Sequence, residues 1–187
     1  MFKSGIPQSI IAILDHREER AKRQEKLLNT YPNTCLITAT LNIPGPIKNN
    51  QEIHQLMLLG SEKVTNDLTI HDWQILHAEE HSLPVGNEVF WVINTKEYKK
   101  IKQLLINIEE NFFLGRLFDL DIQYLDQGIP KLIDRKELNY TPRSCLICNQ
   151  IAKVCARSQA HSVDELQQVI EKQYQQFLQE GKNHADI

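Results

Sequence analysis

Two aspartates one residue apart, in the run Gly115-Arg116-Leu117-Phe118-Asp119-Leu120-Asp121-Ile122, constrain this chain more than any other feature. The segment is apolar and strand-like, and alternate side chains of a strand share a face. Asp119 and Asp121 are therefore expected to point the same way, with Cα atoms roughly 6.6 Å apart. That spacing suits a pair of magnesium ions, which sit about 3.5–4 Å apart in phosphoryl-transfer sites and there activate the attacking oxygen and neutralise the leaving one. A turn, or a solvated strand face carrying two acids, is the simpler reading of an Asp-x-Asp by itself. Leu117, Phe118, Leu120 and Ile122 weigh against it, since they make both faces largely apolar. Burying two like charges there is costly unless a cation compensates them.

The chain has 187 residues, 41% of them hydrophobic, enough for one domain with a core and a small appended subdomain. A net charge of −3 argues against nucleic-acid binding driven by bulk electrostatics. No apolar run approaches the roughly 20 residues of a membrane span, and Met1-Phe2-Lys3-Ser4-Gly5-Ile6-Pro7 lacks the apolar core and cleavage site of a signal peptide. The expected location is the cytoplasm, with no nucleic-acid or membrane partner. Cysteine usage agrees: Cys35 lies in a β-branched run, and the other three crowd near the carboxyl end, as in a metal or thiol site of a reducing compartment.

Residues 9–29 read as a helix with a charged middle, whose stripe Ile10, Leu14, Ala21 and Leu28 also carries Arg17 and Gln24. Tyr31-Pro32-Asn33 stops it, and residues 34–43 alternate and β-branch like a strand. The strand runs into Asn42-Ile43-Pro44-Gly45-Pro46-Ile47-Lys48. Pro-Gly-Pro can be a simple turn, but it can also be a stiff loop in which Gly45 permits close approach of a ligand and Lys48 contacts phosphate. Helical spacing returns over residues 50–66, and residues 71–80 and 88–94 are strand candidates. Thr95 is placed to cap a helix reaching Asn111, whose Lys99, Lys100 and Lys102 read as a solvated face. His71, His77 and His81 share no obvious face at ligand spacing. After the acid-bearing strand, Gly128 opens a turn into a short strand over residues 129–133. The pattern predicts an α/β (α+β) fold, a mixed sheet with flanking helices. Residues 1–140 form its main domain. A Cys-rich motif and an amphipathic helix, residues 141–187, pack on it.

Cys145-x2-Cys148, Cys155 and His161 could together supply four zinc ligands, although the spacing is not that of an ordinary zinc finger. On an unbroken helix, residues six apart lie about 120° apart around the axis, so Cys155 and His161 could not share a metal. Ser162-Val163-Asp164-Glu165 supplies the break, because a capping box starts a new helix at Ser162 and leaves His161 free to turn back. Buried or redox-idle thiols, and a catalytic or phosphate-binding His161, are the other readings of the cluster. Arg143 and Arg157 flank it and could serve anionic groups.

Four stretches together resemble the citrate lyase holo-acyl-carrier-protein synthase family, also called apo-citrate lyase phosphoribosyl-dephospho-CoA transferase. They are Arg17-Glu18-Glu19-Arg20 with Gln24; residues 42–48; Gly115 to Asp121; and Pro142-Arg143-Ser144-Cys145-Leu146-Ile147-Cys148 continuing to His161-Ser162. The resemblance implies transfer from 2′-(5″-triphosphoribosyl)-3′-dephospho-CoA to a serine of the apo-citrate lyase acyl carrier protein, with diphosphate leaving. It also implies a nucleotidyltransferase-like fold, with Asp119 and Asp121 holding magnesium. Arg116 and Lys48 would meet triphosphate oxygens, with Arg17 and Arg20 as weaker contacts. Such folds often add a third acid from a neighbouring strand, and Glu88, Asp126 and Asp134 all qualify. The rival expectation is a non-enzymatic zinc-binding assembly factor for the citrate lyase complex.

Overall fold

The computed structural model describes residues 1–185. Helix α1 (Ile10–Thr30) starts where Ser9 Oγ accepts the Ala12 N–H at 3.1 Å. Strand β1 (Cys35–Leu41) follows, then α2 (Gln51–Ile70), capped by Asn50 Oδ1 on the Ile53 N–H at 2.9 Å. These side-chain acceptors occupy the first-turn donors that a helix leaves unpaired. The chain continues through β2 (Ile75–Leu83), β3 (Gly86–Ile93), α3 (Tyr98–Asn111), β4 (Phe118–Asp126), β5 (Ile129–Leu132), α4 (Ala152–Ser158) and α5 (Val163–Ala185).

The five strands form one sheet in the order β2-β3-β1-β4-β5, and every pairing is antiparallel. The mixed sheet expected from alternating strands and helices is thus corrected to an antiparallel α+β fold. The reason lies in where the crossovers land. The connection through α2 carries the chain from β1 to β2, which runs parallel to it, but the β2–β3 hairpin folds back and places β3 between them. The connection through α3 likewise takes β3 past β1 to β4.

One sheet face is apolar, with Cys35, Ile37, Ala39, Trp91, Ile93, Leu120 and Ile122 packed against Ile53, Leu56 and Met57 of α2 and Ile101, Leu105 and Ile108 of α3. Ile170 and Tyr174 of α5 join this core, so the last helix closes over the same sheet. On the other face a smaller cluster, Leu36, Phe90 and Val92 under Leu27 and Leu28, seats the carboxyl-terminal turns of α1. The apolar stripe expected along α1 holds only there. Ile10 and Leu14 are exposed, because the sheet beneath the middle of the helix is polar and meets His16, Arg20 and Gln24 instead.

Three boundaries shift. Helix α2 runs on to Ile70, so β2 begins later than expected. Thr95 does not cap α3 at its end; its Oγ1 accepts the Glu97 N–H at 3.1 Å, one step ahead of the helix. Residues Gly115–Leu117 form a 3-10 turn rather than the start of β4. Gly115 is required in that turn, since a Cβ there would stand 2.0 Å from the Ile108 carbonyl oxygen.

Candidate active site

Strand alternation sends Phe118, Leu120 and Ile122 into the core and Asp119 and Asp121 to the opposite face. The burial expected of the two acids from their apolar neighbours is corrected: their side chains are 56% and 54% exposed. Leu117, which made the acid face look apolar, belongs to the turn. Asp121 is nevertheless crowded, with Lys102 Nζ 3.7 Å away and Asp119 and Glu109 nearby. Desolvation raises its carboxyl pKa, with Asp119 and Glu109 adding to the shift and Lys102 opposing it.

The edge of the acid-bearing strand is finished by side chains. Strand β5 pairs only with Gln123 to Asp126, which leaves the backbone of Leu120 without a strand neighbour on that side. Glu109 Oε1 accepts the Leu120 N–H at 2.9 Å, and Lys102 Nζ donates to the Leu120 carbonyl at 2.7 Å. Unpaired backbone groups at such depth are costly, so these two bonds fix where the acids stand. Lys102 Nζ is also 3.7 Å from Asp121. It is buried, so the solvated face expected for Lys99, Lys100 and Lys102 is corrected for this residue. Arg143 completes the edge, pairing with Asp119 and donating to the carbonyls of Phe118 at 2.7 Å and Arg116 at 3.0 Å. Arg116 donates to the Ser144 carbonyl, and Arg135 pairs with Glu109 at 2.7 Å. Burial first, then the neighbouring Arg143 and Arg135, lowers the pKa of Arg116. Arg143 and Arg116 therefore stand beside Asp119, with Arg135 next to Arg116, an arrangement suited to a polyanion.

Of the three further acids, Glu88 alone shares the face of the pair. It lies in β3 opposite Thr40, which on its other side faces Asp119. Asp126 is an odd number of residues from Asp119 and so turns away, while Asp134 caps the next turn by accepting the Lys136 N–H at 2.9 Å. Glu88 is buried, with Oε2 3.2 Å from His16 Nε2 and 3.8 Å from Arg20 Nη1, yet neither contact satisfies that oxygen with an aligned hydrogen bond. Nothing in the local sequence singles out Glu88 among the three candidate acids or marks His16 beside it.

The loop before α2 brings Lys48 back on itself, where Nζ donates to the Ile43 carbonyl at 2.5 Å. Burial and the nearby charge of Arg17 lower the pKa of Lys48, and Arg17 itself is exposed. Gly45 has φ +89°, and the place of a Cβ there is taken by Gln167 of α5, 2.7 Å away. The close approach expected of a ligand at Gly45 is therefore made by α5. Arg157 is exposed in the last turn of α4.

Cys145, Cys148, Cys155 and His161 converge, with one ligand atom from each lying within 4.8 Å of every other. Among the described residues this is the group of three or more such side chains that could hold a metal ion. Ser162 caps α5 as expected, its Oγ accepting the Glu165 N–H at 3.2 Å while Glu165 Oε2 accepts the Ser162 N–H at 2.8 Å. His161 turns back to place Nε2 3.3 Å from Cys148 Sγ. Cys35 stays apart in the core, its thiol pushed up to about 12 by burial.

Comparison with known proteins bears on this arrangement. The family model described as apo-citrate lyase phosphoribosyl-dephospho-CoA transferase matches residues 8–177. A relative from Streptococcus pyogenes serotype M3, named probable apo-citrate lyase phosphoribosyl-dephospho-CoA transferase, is 34% identical over 95% of this chain and 91% of its own length. A Vibrio cholerae protein of the same name is 30% identical over 88% of this chain and 90% of its own. Protein CitXG of Leuconostoc mesenteroides is 34% identical over 94% of this chain, which matches 37% of that longer protein. The chain belongs to the apo-citrate lyase phosphoribosyl-dephospho-CoA transferase family.

Proposed function

We propose that this protein transfers the phosphoribosyl-dephospho-CoA group from 2′-(5″-triphosphoribosyl)-3′-dephospho-CoA to a serine of the apo-citrate lyase acyl carrier protein, releasing diphosphate. The chemistry is that of a nucleotidyltransferase, on a nucleotidyltransferase-like fold. The observation that carries the reading is the acid pair Asp119–Asp121 on an open sheet face, bordered by Arg116, Arg143 and Lys102, in a chain of this family. Family membership does not favour a non-enzymatic zinc-binding assembly factor, and such a factor has no use for these acids. No helix among the described residues is long and apolar enough to cross a membrane.

The donor set fits magnesium. Asp119 and Asp121 offer hard carboxylate oxygens with half their surface open, and magnesium is commonly held by one or two carboxylates plus substrate phosphates. When bound, it would neutralise charge on the triphosphate and on departing diphosphate.

The chain's own residues do the rest. Arg143, now paired with Asp119, exchanges that carboxylate for a phosphate oxygen when the triphosphate arrives. Arg116 takes a second oxygen, and Lys48 with Arg17 and Arg20 holds the far side of the donor. The serine oxygen forms a bond to the α-phosphorus in line with the α–β anhydride bond, which breaks as diphosphate leaves. The serine proton passes to the Glu88–His16 pair, whose Glu88 Oε2 has no aligned partner.

Incubation with donor, apo-carrier and magnesium tests this. The expected result is a mass gain on the carrier serine and one diphosphate per transfer, both lost when magnesium is removed. No modified carrier at any magnesium concentration would overturn the reading.

A further inference from the structure

Residues 141–162 hold together with almost no core. Cys155 alone among them is buried, while Ile147, Ile151 and Val154 are exposed. A segment that buries so little apolar surface needs a staple. The ligand atoms of Cys145, Cys148, Cys155 and His161 are already grouped, with Cys148 Sγ 3.4 Å from Cys155 Sγ and 3.3 Å from His161 Nε2. In a tetrahedral zinc site, bonds of about 2.3 Å to sulfur and 2.0–2.1 Å to nitrogen put ligand atoms roughly 3.5–3.8 Å apart. Small shifts would reach that geometry, and the Ile147 N–H already points to Cys145 Sγ at 3.5 Å.

The same segment delivers Arg143. Ser144 forms a bridge with Ile151, Cys145 N–H donates to the Gln150 carbonyl at 2.7 Å, and Ala152 N–H donates to the Arg143 carbonyl at 2.8 Å. Arg143 thus forms the base of a small ladder whose tip carries Cys145 and Cys148. Helix α4 brings Cys155 to that tip, and the start of α5 brings His161. The ladder base also receives Arg116 at the Ser144 carbonyl. Whatever clamps the tip sets the direction of both arginines.

We propose that Cys145, Cys148, Cys155 and His161 hold one zinc ion in a closed tetrahedral site, and that this zinc fixes the Arg143 guanidinium beside Asp119. Four protein ligands leave no open position, so the ion does no chemistry on substrate. Arg143 contacts the anion, and the zinc site acts through it as a positioning device. The metal site stands independently of the transfer reading; its effect on anion binding rests on that reading.

The test uses the full chain, purified with reductant. Metal content should be one zinc per chain, and exchange for cobalt(II) should give thiolate-to-cobalt charge-transfer bands and the visible bands of a tetrahedral ion. Cys155→Ser should lose them, and Cys155→His, which keeps four ligands, should restore metal content. Binding of inorganic triphosphate with magnesium, followed by calorimetry, should weaken about tenfold in Cys155→Ser and recover in Cys155→His. Arg143→Ala should weaken it to a similar degree, and Cys155→Ser combined with Arg143→Ala should weaken it no further. Substoichiometric metal, or cobalt bands without thiolate character, would overturn the site. Additive losses in the double variant, or triphosphate binding unmoved in Cys155→Ser, would overturn the positioning role. The cobalt bands need neither donor nor carrier, so a failure of transfer would leave the site standing.

Discussion

Glu88 and Asp119 flank Thr40 from opposite sides, one row across β3, β1 and β4. Strand spacing puts their Cα atoms about 9.6 Å apart, so they stand on the same sheet face two strands apart and do not touch. The position beside Asp119, where a third acid would be sought, holds threonine, and the acid stands one strand further on. Glu88→Gln keeps the shape and one acceptor but loses the proton-accepting oxygen. We expect a rate loss of about 10²-fold or more, in the range for general acid–base groups, with KM for donor little changed. A variant that keeps a third of the parental rate would remove Glu88 from the chemistry.

Glu79 gives a pH signature of stability on the far side of the same face. The hydrogen-bonded Arg23 first, then His77, holds its carboxyl down at about 2. A carboxylate whose folded pKa lies below its unfolded value contributes stability that is full above the unfolded value and is lost as pH falls toward the folded one. The Arg23 side chain is 38% exposed, so solvent screening limits the contribution to about 1 kcal/mol. Glu79→Gln should be less stable than the parent by that amount at pH 7. The difference should shrink below about pH 4.5 and vanish near pH 2. Urea midpoints that differ equally at pH 7 and pH 3 would contradict this.

Lys102 is tested by Lys102→Met, which keeps the stem and removes the ammonium. The Leu120 carbonyl then lacks its donor, and an unsatisfied buried group costs about 1–3 kcal/mol. Asp121 loses its nearest cation at the same time. Both lower urea midpoint and weaker triphosphate binding are expected, whereas Lys99→Met, on an exposed residue, should change neither. An unchanged midpoint in Lys102→Met would show that water replaces the ammonium.

What sequence could and could not reveal follows from how local each feature is. The cap at Ser162 depends on a few adjacent residues, and β-branched alternation marks Cys35 to Leu41 as a strand without help from the rest of the chain, whereas the cap expected at Thr95 falls two residues ahead of the N-cap Glu97. The common face of Asp119 and Asp121 needs only a period of two. Their exposure did not follow, because Leu117 had to be assigned to a turn, and that turn depends on the close approach of Gly115 to Ile108. Lys102 looked solvated beside Lys99 and Lys100, since its burial arises from β5 ending short of Leu120. Glu88 could be singled out only once the order β3-β1-β4 was known. Spacing brought the four ligands of the cysteine cluster to notice, but their link to Asp119 runs through Arg143 and a ladder that spacing does not display.

The two aspartates should be equally necessary to transfer and unequal in stability. Asp119→Asn and Asp121→Asn each remove a carboxylate needed for the metal-bound triphosphate, so each should cut the rate by orders of magnitude and weaken donor binding chiefly when magnesium is present. Asp121 is desolvated and repelled by Asp119 and Glu109, which raises its folded pKa. A carboxyl with a raised folded pKa destabilises the fold once it is ionised, so at pH 7 Asp121→Asn should melt at or above the parental temperature. Asp119 instead pairs with Arg143, whose side chain is only 16% exposed. Asp119→Asn should therefore melt slightly lower, by up to about 1 kcal/mol, the usual limit for a pair open to solvent on one side. Thermal melts at pH 7 and at pH 4 separate the two, since the benefit of Asp121→Asn should fade as the parental carboxyl takes up its proton. Either variant retaining more than about a tenth of the parental rate, a barrier change under roughly 1.4 kcal/mol, would mean that the pair is not the metal site.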